Sequence, residues 1–221
     1  MYQKISKWQK MIKHSVDEVI DVNLRKYVFD QQKKIVLNNP KLQQRNIFID
    51  YFFRNYAEAQ VLAISRLVED KPVDSFVALL NDLLTNYEEF IQSGELNKRL
   101  VSKMKKEAAD DFIKNHFQKQ IEDRTKEFSW EKINSDKFDI LKETAKIKLL
   151  RDKWVAHRDS KRKAVNVQYD EINKVIKFIE EKVGGYYTFL ADASMASFLP
   201  TGIEGDEEIF NFAWANQTDQ K

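Results

Sequence analysis

Apolar residues recur along most of the chain at intervals of three and four, which is the spacing that lines one face of an α-helix. Six segments follow this pattern. The second has the widest apolar arc, including Ile47, Phe48 and Tyr51, which is typical of a central helix packed on several sides. The predicted helices are Ile5–Val36, Leu42–Val68, Phe76–Phe90, the long amphipathic Glu95–Phe128, Lys137–Val155 and Asp170–Val183.

Residues that cap or interrupt helices lie between these segments. Asp74 is the expected N-cap of the third helix, because its side chain can accept a hydrogen bond from a free backbone N–H. Glycine is common just after a helix end, so Gly184-Gly185 is expected to end the sixth helix. Residues 186–221 are weakly periodic and are predicted to form a weakly structured tail. The other predicted interruptions are Asn38-Asn39-Pro40, Lys71-Pro72, Ser93-Gly94 and Asn134-Ser135-Asp136.

The composition indicates one all-α domain, residues 1–185. The 221 residues are 43% hydrophobic but include only 5 glycines and 3 prolines, whereas sandwiches, barrels and Gly-rich nucleotide-binding sheets need more turn residues. No cysteine occurs, which excludes disulfides and thiolate zinc sites and fits a reducing compartment. Because there is no signal-peptide pattern and no apolar run of membrane-spanning length, we expect a soluble cytoplasmic protein without a membrane partner.

Several common chemistries lack their residues. The chain has no Walker-type or G-x-G-x-x-G phosphate loop, no H-E-x-x-H and no G-x-S-x-G elbow. Its histidines are His14, His116 and His157, and neither of the first two ends a Glu-x-x-His pair. We therefore expect no metal and no cofactor.

Arg151 is a charged residue on an apolar stripe. Ile140, Thr144, Ile147 and Leu150 recur at three and four on the fifth helix, and Arg151 projects toward the middle of that stripe. A guanidinium there costs several kcal/mol unless it is paired or faces a wet cleft. Two explanations follow: a structural ion pair with a neighbouring acid, or a site that binds phosphate bidentately.

A basic segment begins at Arg151. Between Arg151 and Lys163 six basic and two acidic residues give a local net charge of +4, above the +2 of the whole chain. With His157, this segment has the groups that RNA cleavage without a metal requires: a phosphate anchor, a proton acceptor for the 2′-hydroxyl and a cation for the transition state. The residues expected to contact the RNA backbone are Lys153, Arg158, Lys161, Arg162 and Lys163.

Arg151 and His157 would not converge on a regular helix. A separation of six residues places their side chains about 120° apart with about 9 Å of rise between them. Either the helix unwinds before His157, or the two residues meet across a symmetric dimer.

The phrase Arg151-Asp-Lys-Trp-Val-Ala-His157 resembles the signature of the HEPN superfamily, an Arg followed by a polar residue and then a His after four to six intervening residues. Residues 151–159 are similar in particular to its abortive-infection (AbiU2-like) branch. The segment Ile64–Leu80 resembles the helix, acidic turn and Leu-rich helix of that branch. The likeness extends over residues 47–183.

This resemblance implies an up-and-down helical bundle, a homodimer whose two motifs share one cleft, and metal-independent endoribonuclease activity of the defence or toxin type. By the same resemblance, Arg151 would contact the scissile phosphate, His157 would orient or deprotonate the 2′-hydroxyl, and Asp152 would have an orienting role. The products would carry 2′,3′-cyclic phosphate ends. The Glu95–Phe128 helix has no place in the common core, and binding of an antitoxin or regulatory protein is one use for it.

The alternative is a non-catalytic helical module that binds a protein or nucleic acid. Some members of the superfamily have lost catalysis. In that case Arg151 would be a structural ion pair and the basic segment a solvated loop.

Overall fold

The computed structural model describes residues 1–43, 47–70, 74–93, 128–152, 167–191 and 197–199. Within these ranges the chain forms helices and no strand, which confirms the all-α prediction. None of the described helices is both long and apolar enough to cross a membrane. The helices are α1 (Tyr2–Asn38), α2 (Pro40–Gln43), α3 (Ile47–Val68), α4 (Phe76–Thr85), α5 (Tyr87–Gln92), α6 (Trp130–Leu150) and α7 (Tyr169–Ala191).

The long helix α1 packs antiparallel to both α3 and α7. On the α7 side, the Gln9 amide donates to the Leu190 carbonyl near one end, and Phe29 contacts Tyr169 near the other. On the α3 side, Arg66 pairs with Glu18 at 2.9 Å, whereas Phe29 stacks on Tyr56 with ring centroids 3.9 Å apart. The order of these contacts along the three helices defines an up-and-down arrangement around α1.

One apolar core joins the helices. Its α1 residues recur at three and four, as the sequence pattern predicts, and the buried ones are Ile5, Trp8, Met11, Ile12, Val16, Val19, Val22, Phe29 and Val36. Trp8 is fully buried: its ring meets Phe90 edge-on, and its Nε1 donates to Asp82 Oδ2 at 2.7 Å. Trp8 therefore connects α1 to both α4 and α5.

The start of α3 is not buried, contrary to the prediction from its wide apolar arc. Ile47 is 84% exposed and Tyr51 is 61% exposed, and the first buried residue of α3 is Tyr56. The apolar periodicity of a helix shows which residues share a face, but not where along the axis its neighbours begin to cover that face. In the described part of the chain, the buried positions of α3 therefore run from Tyr56 to Val68.

Three predicted helix boundaries are corrected by the structure. The N-cap of α4 is Ser75 and not Asp74; the Ser75 hydroxyl accepts from the Ala78 N–H at 3.0 Å. The predicted third helix is divided at Asn86 into α4 and α5. Helix α6 begins at Trp130, before Asn134-Ser135-Asp136, because Ser129 caps it by accepting from the Lys132 N–H at 3.2 Å.

The predicted end of the last helix at Gly184-Gly185 is wrong, because α7 runs through both glycines to Ala191. Tyr186 and Leu190 are each 2% exposed and belong to the core, and Phe198 packs against Gly184. Tertiary burial of the following turn outweighs the low helix propensity of glycine. The bundle therefore continues past residue 185, where the sequence pattern placed the start of a tail.

The two glycines of α7 lead to a stability prediction. An alanine at position 185 meets no atom within 4 Å, so Gly185→Ala should raise the free energy of unfolding by about 0.5–1 kcal/mol. At position 184 the added Cβ would lie 3.3 Å from Phe198 Cε2, so Gly184→Ala should gain less or lose stability. Chemical denaturation of both variants measures the difference. A destabilised Gly185→Ala protein would contradict the continuous helix.

Candidate functional site

Arg151 lies directly after α6, on the side that faces the bundle. The apolar stripe that predicts its direction is buried at Ile140, Thr144 and Ile147. The Arg151 N–H donates to the carbonyls of Ile147 and Lys148, and the backbone continues through Arg151 and Asp152 as a wider π-helical turn. Such turns are rare in proteins overall, but many of those that occur lie at functional sites. The Arg151 side chain is 18% exposed, so the charge is largely withdrawn from solvent while part of it remains accessible.

Two carboxylates hold the guanidinium of Arg151. Nη1 is paired with Glu69 Oε1, while Nη2 and Nε lie 2.6 and 2.8 Å from Asp152 Oδ1. The side chains of Glu69 and Asp152 are 29% and 51% exposed, respectively. We call these three residues the Arg151 cluster. Its contacts supply the counter-charges that a partly buried guanidinium requires.

The turn between α3 and α4 fixes the position of Glu69. Its backbone carbonyl accepts a hydrogen bond from the Ser75 hydroxyl, and Ser75 is itself buried at the start of α4. Asp70, the next residue, accepts from Asn81 Nδ2 at 2.9 Å. Glu69 is therefore anchored to α4 through its main chain, and its side chain reaches Arg151 from a different part of the bundle.

Sequence reasoning identified Arg151 and Asp152 but did not identify Glu69. The acidic turn containing Glu69 entered only as part of the resemblance of Ile64–Leu80. Nothing in a single sequence pairs that turn with a residue on α6, because the contact depends on how α3, α4 and α6 pack. The remaining predicted site residues, His157, Lys153, Arg158, Lys161, Arg162 and Lys163, lie outside the described residues, as does most of the predicted extension of α6 to Val155.

A second polar cluster surrounds Asp136 near the other end of α6. Asp136 is 4% exposed, binds the ammonium groups of Lys132 and Lys182, and accepts from the Tyr186 hydroxyl at 3.2 Å. Burial raises the pKa of Asp136, but the hydrogen bonds and positive charges of Lys132 and Lys182 together outweigh burial and lower the pKa below its ordinary value. Burial and the nearby Asp136 carboxylate raise the pKa of the Tyr186 hydroxyl. This Asp136 cluster joins α6 to α7.

The Asp136 cluster and the Arg151 cluster differ in their surroundings. The Asp136 cluster is surrounded by core aromatic rings, since Tyr186 meets both Phe76 and Phe128 edge-on. The Arg151 cluster lies at the end of a helix, at the position in the chain where the basic segment begins. Among the residues that the structure describes, no three His, Cys, Asp or Glu side chains are grouped so that they could hold a metal ion.

Fold and site together define an all-α helical bundle with a partly buried arginine cluster at the end of one helix. No family model, no curated protein and no solved structure matches the chain. The likeness to the HEPN superfamily therefore rests on the residues quoted above.

Proposed function

We propose that this protein is a metal-independent endoribonuclease of the defence or toxin type. The observation that carries the proposal is the guanidinium of Arg151, held partly exposed at the end of α6 where the basic segment 151–163 begins. The helical bundle agrees with the fold that the HEPN resemblance implies. A guanidinium that remains partly exposed can exchange a carboxylate partner for the oxygens of one phosphodiester.

In this proposal each motif residue has one role. Arg151 binds the scissile phosphate and stabilises the charge that develops on it, and His157 removes the proton of the attacking 2′-hydroxyl. Asp152, which contacts two nitrogens of Arg151, orients the guanidinium. A general base is worth about 10²–10⁴ in rate and a preorganised cationic donor about 10²–10³. The two groups together supply useful catalysis.

The basic residues after His157 hold the RNA backbone in the proposed complex. Because phosphate contacts are screened by salt, RNA binding should weaken steeply as the salt concentration rises. A homodimer would bring two copies of the motif to one cleft, which allows Arg151 of one protomer to act beside His157 of the other. The residues assigned to backbone contact are Lys153, Arg158, Lys161, Arg162 and Lys163.

The test is cleavage of mixed RNA by the purified protein in excess EDTA at moderate salt. We expect fragments with 2′,3′-cyclic phosphate and 5′-hydroxyl ends, since the 2′-hydroxyl is the nucleophile and no metal takes part. The end groups are read by phosphatase and kinase sensitivity. Absence of cleavage under these conditions, or fragments with 3′-hydroxyl ends, would contradict the proposal.

A second candidate is a non-catalytic helical module, and the contacts of the Arg151 cluster favour it. A guanidinium that already has two carboxylate partners meets the requirement for a structural ion pair. In this reading Arg151 and Glu69 join α6 to the turn after α3 and stabilise the bundle.

A double-mutant cycle on Arg151 and Glu69 measures the structural role. We expect a coupling free energy of about 1–3 kcal/mol between Arg151→Ala and Glu69→Ala, because each single change leaves a partly buried charge without this partner. The matched control is Lys146 and Glu171, whose side chains are 50% and 40% exposed and should couple by less than about 1 kcal/mol. Strong coupling without RNA cleavage supports the module; negligible coupling excludes a structural role for the pair.

A further inference from the structure

Carboxylates contact both edges of the Arg151 guanidinium through which a phosphate could bind. Arginine binds a phosphate bidentately through one of two edges, Nε with Nη2 or Nη1 with Nη2. Asp152 contacts both nitrogens of the first edge, and Glu69 contacts Nη1 of the second. A bidentate phosphate cannot bind this guanidinium unless at least one carboxylate leaves.

From this geometry we propose that Glu69 is an autoinhibitory counter-ion of Arg151, which a phosphate group must displace before the site can act. The inference rests on the proposed function, since it assigns a closed state to the same arginine. Glu69 and Asp152 together bring two negative charges to the one guanidinium, so an incoming anion must compete with them for Arg151.

Glu69, and not Asp152, is the residue suited to hold the closed state. Asp152 follows Arg151 directly in the chain, so its contact with the guanidinium is local and does not depend on how the helices pack. Glu69 is tied to α4 through the Ser75 hydroxyl, so its carboxylate stays behind if Arg151 moves. Its side chain is also less exposed than that of Asp152, 29% against 51%, so solvent screens its attraction to Arg151 less.

The closed state has a consequence for activity. When Glu69 leaves Arg151, one edge of the guanidinium becomes available to a phosphate. Breaking this ion pair costs free energy, and this threshold must be overcome by the free energy of phosphate binding. Free phosphate would therefore bind weakly, whereas an RNA strand that also contacts the basic segment would open the site more readily. The same threshold applies to free phosphate and to RNA, so removing the Glu69 charge should strengthen the binding of both by a similar factor.

The experiment compares Glu69→Gln with Asp70→Asn in the full-length protein. Glutamine keeps the length and a hydrogen-bond acceptor but lacks the charge, so Glu69→Gln should bind inorganic phosphate about tenfold more tightly than the unchanged protein. Cleavage of dilute RNA should accelerate by a similar factor. Asp70→Asn removes the same charge one residue further on, where the carboxylate binds Asn81, and should change either quantity by less than about twofold.

Titration calorimetry with inorganic phosphate and an RNA cleavage time course provide the two readouts, with circular dichroism to verify folding. The tighter phosphate binding and faster cleavage of Glu69→Gln must depend on Arg151. The double variant Glu69→Gln, Arg151→Gln should therefore lose both gains. If Glu69→Gln does not fold, Glu69→Asp is used instead, because its shorter side chain weakens the contact while the charge remains.

The results separate the two proposals. Tighter phosphate binding by Glu69→Gln without RNA cleavage by any variant supports the counter-ion role and refutes the ribonuclease. Cleavage by the unchanged protein with no gain in Glu69→Gln refutes the counter-ion role and retains the ribonuclease. Equal gains in phosphate binding by Glu69→Gln and Asp70→Asn would indicate a general charge effect and would also refute the counter-ion role. A loss of phosphate binding in folded Glu69→Gln would show that Glu69 positions Arg151 for the ligand, which is the opposite of the proposal.

Discussion

Replacing His157 with alanine is expected to slow RNA cleavage in EDTA by about 10²- to 10⁴-fold, because the variant lacks the proton acceptor for the 2′-hydroxyl. Phosphate anchoring by Arg151 would remain, so the loss should appear in the maximal rate and not in RNA affinity. The measurement is a single-turnover time course at saturating RNA, together with a binding curve at the same salt concentration.

His14 provides the matched control for this experiment. It is an exposed histidine on α1, and His14→Ala should leave both cleavage and folding unchanged. Cleavage at the same rate by His157→Ala would remove His157 from the mechanism. A similar loss in both variants would point to a general loss of folded protein, which the circular dichroism spectra detect.

The largest expected effect on stability comes from Asp136. Asp136→Ala should lower the free energy of unfolding at neutral pH by about 3 kcal/mol, because it leaves the ammonium of Lys182 and the Tyr186 hydroxyl without their buried partner. Lys132, which is 46% exposed, can turn to solvent and adds little to the loss. Urea denaturation at pH 7 measures the change, and Glu143→Ala, an exposed acid on the same helix, should stay within about 0.5 kcal/mol.

The effect of Asp136 should depend on pH with a definite sign. The folded-state pKa of Asp136 is lowered, so its stabilisation is complete above the pKa of an unfolded aspartate, about 3.9, and is lost as the pH falls through the folded value. The difference between the unchanged protein and Asp136→Ala should therefore be constant near neutrality and shrink below about pH 4. A difference that persists unchanged in acid would assign the loss to packing instead of charge.

The Asp136→Ala variant also distinguishes effects on the stability of the bundle from effects on the Arg151 cluster. Asp136 lies on α6, fifteen residues before Arg151, which directly follows that helix; the separation is about 22 Å along the axis. Below the midpoint of its unfolding transition, Asp136→Ala should therefore retain the RNA affinity and cleavage rate of the unchanged protein.

Local patterns in the sequence were sufficient for the helices of the core. The recurrence of apolar residues at three and four in α1, α4 and α6 matches the residues that are buried there. The same pattern was insufficient where tertiary contacts decide the outcome. Ile47 and Tyr51 are exposed, and none of the described helices covers the start of α3. Gly184-Gly185 remains helical because Tyr186 and Leu190 are buried beyond it.

The sequence by itself determined that this chain is all-helical and that Arg151 lies on an apolar stripe, because both follow from the geometry of a single helix. Only the tertiary structure decided which acid from a distant part of the chain meets that arginine. Glu69 is distant in the chain, and its carboxylate reaches Arg151 only because Ser75 fixes the turn between α3 and α4 beside the end of α6. A periodic pattern records the direction of a side chain, whereas its partner depends on the packing of several helices at once.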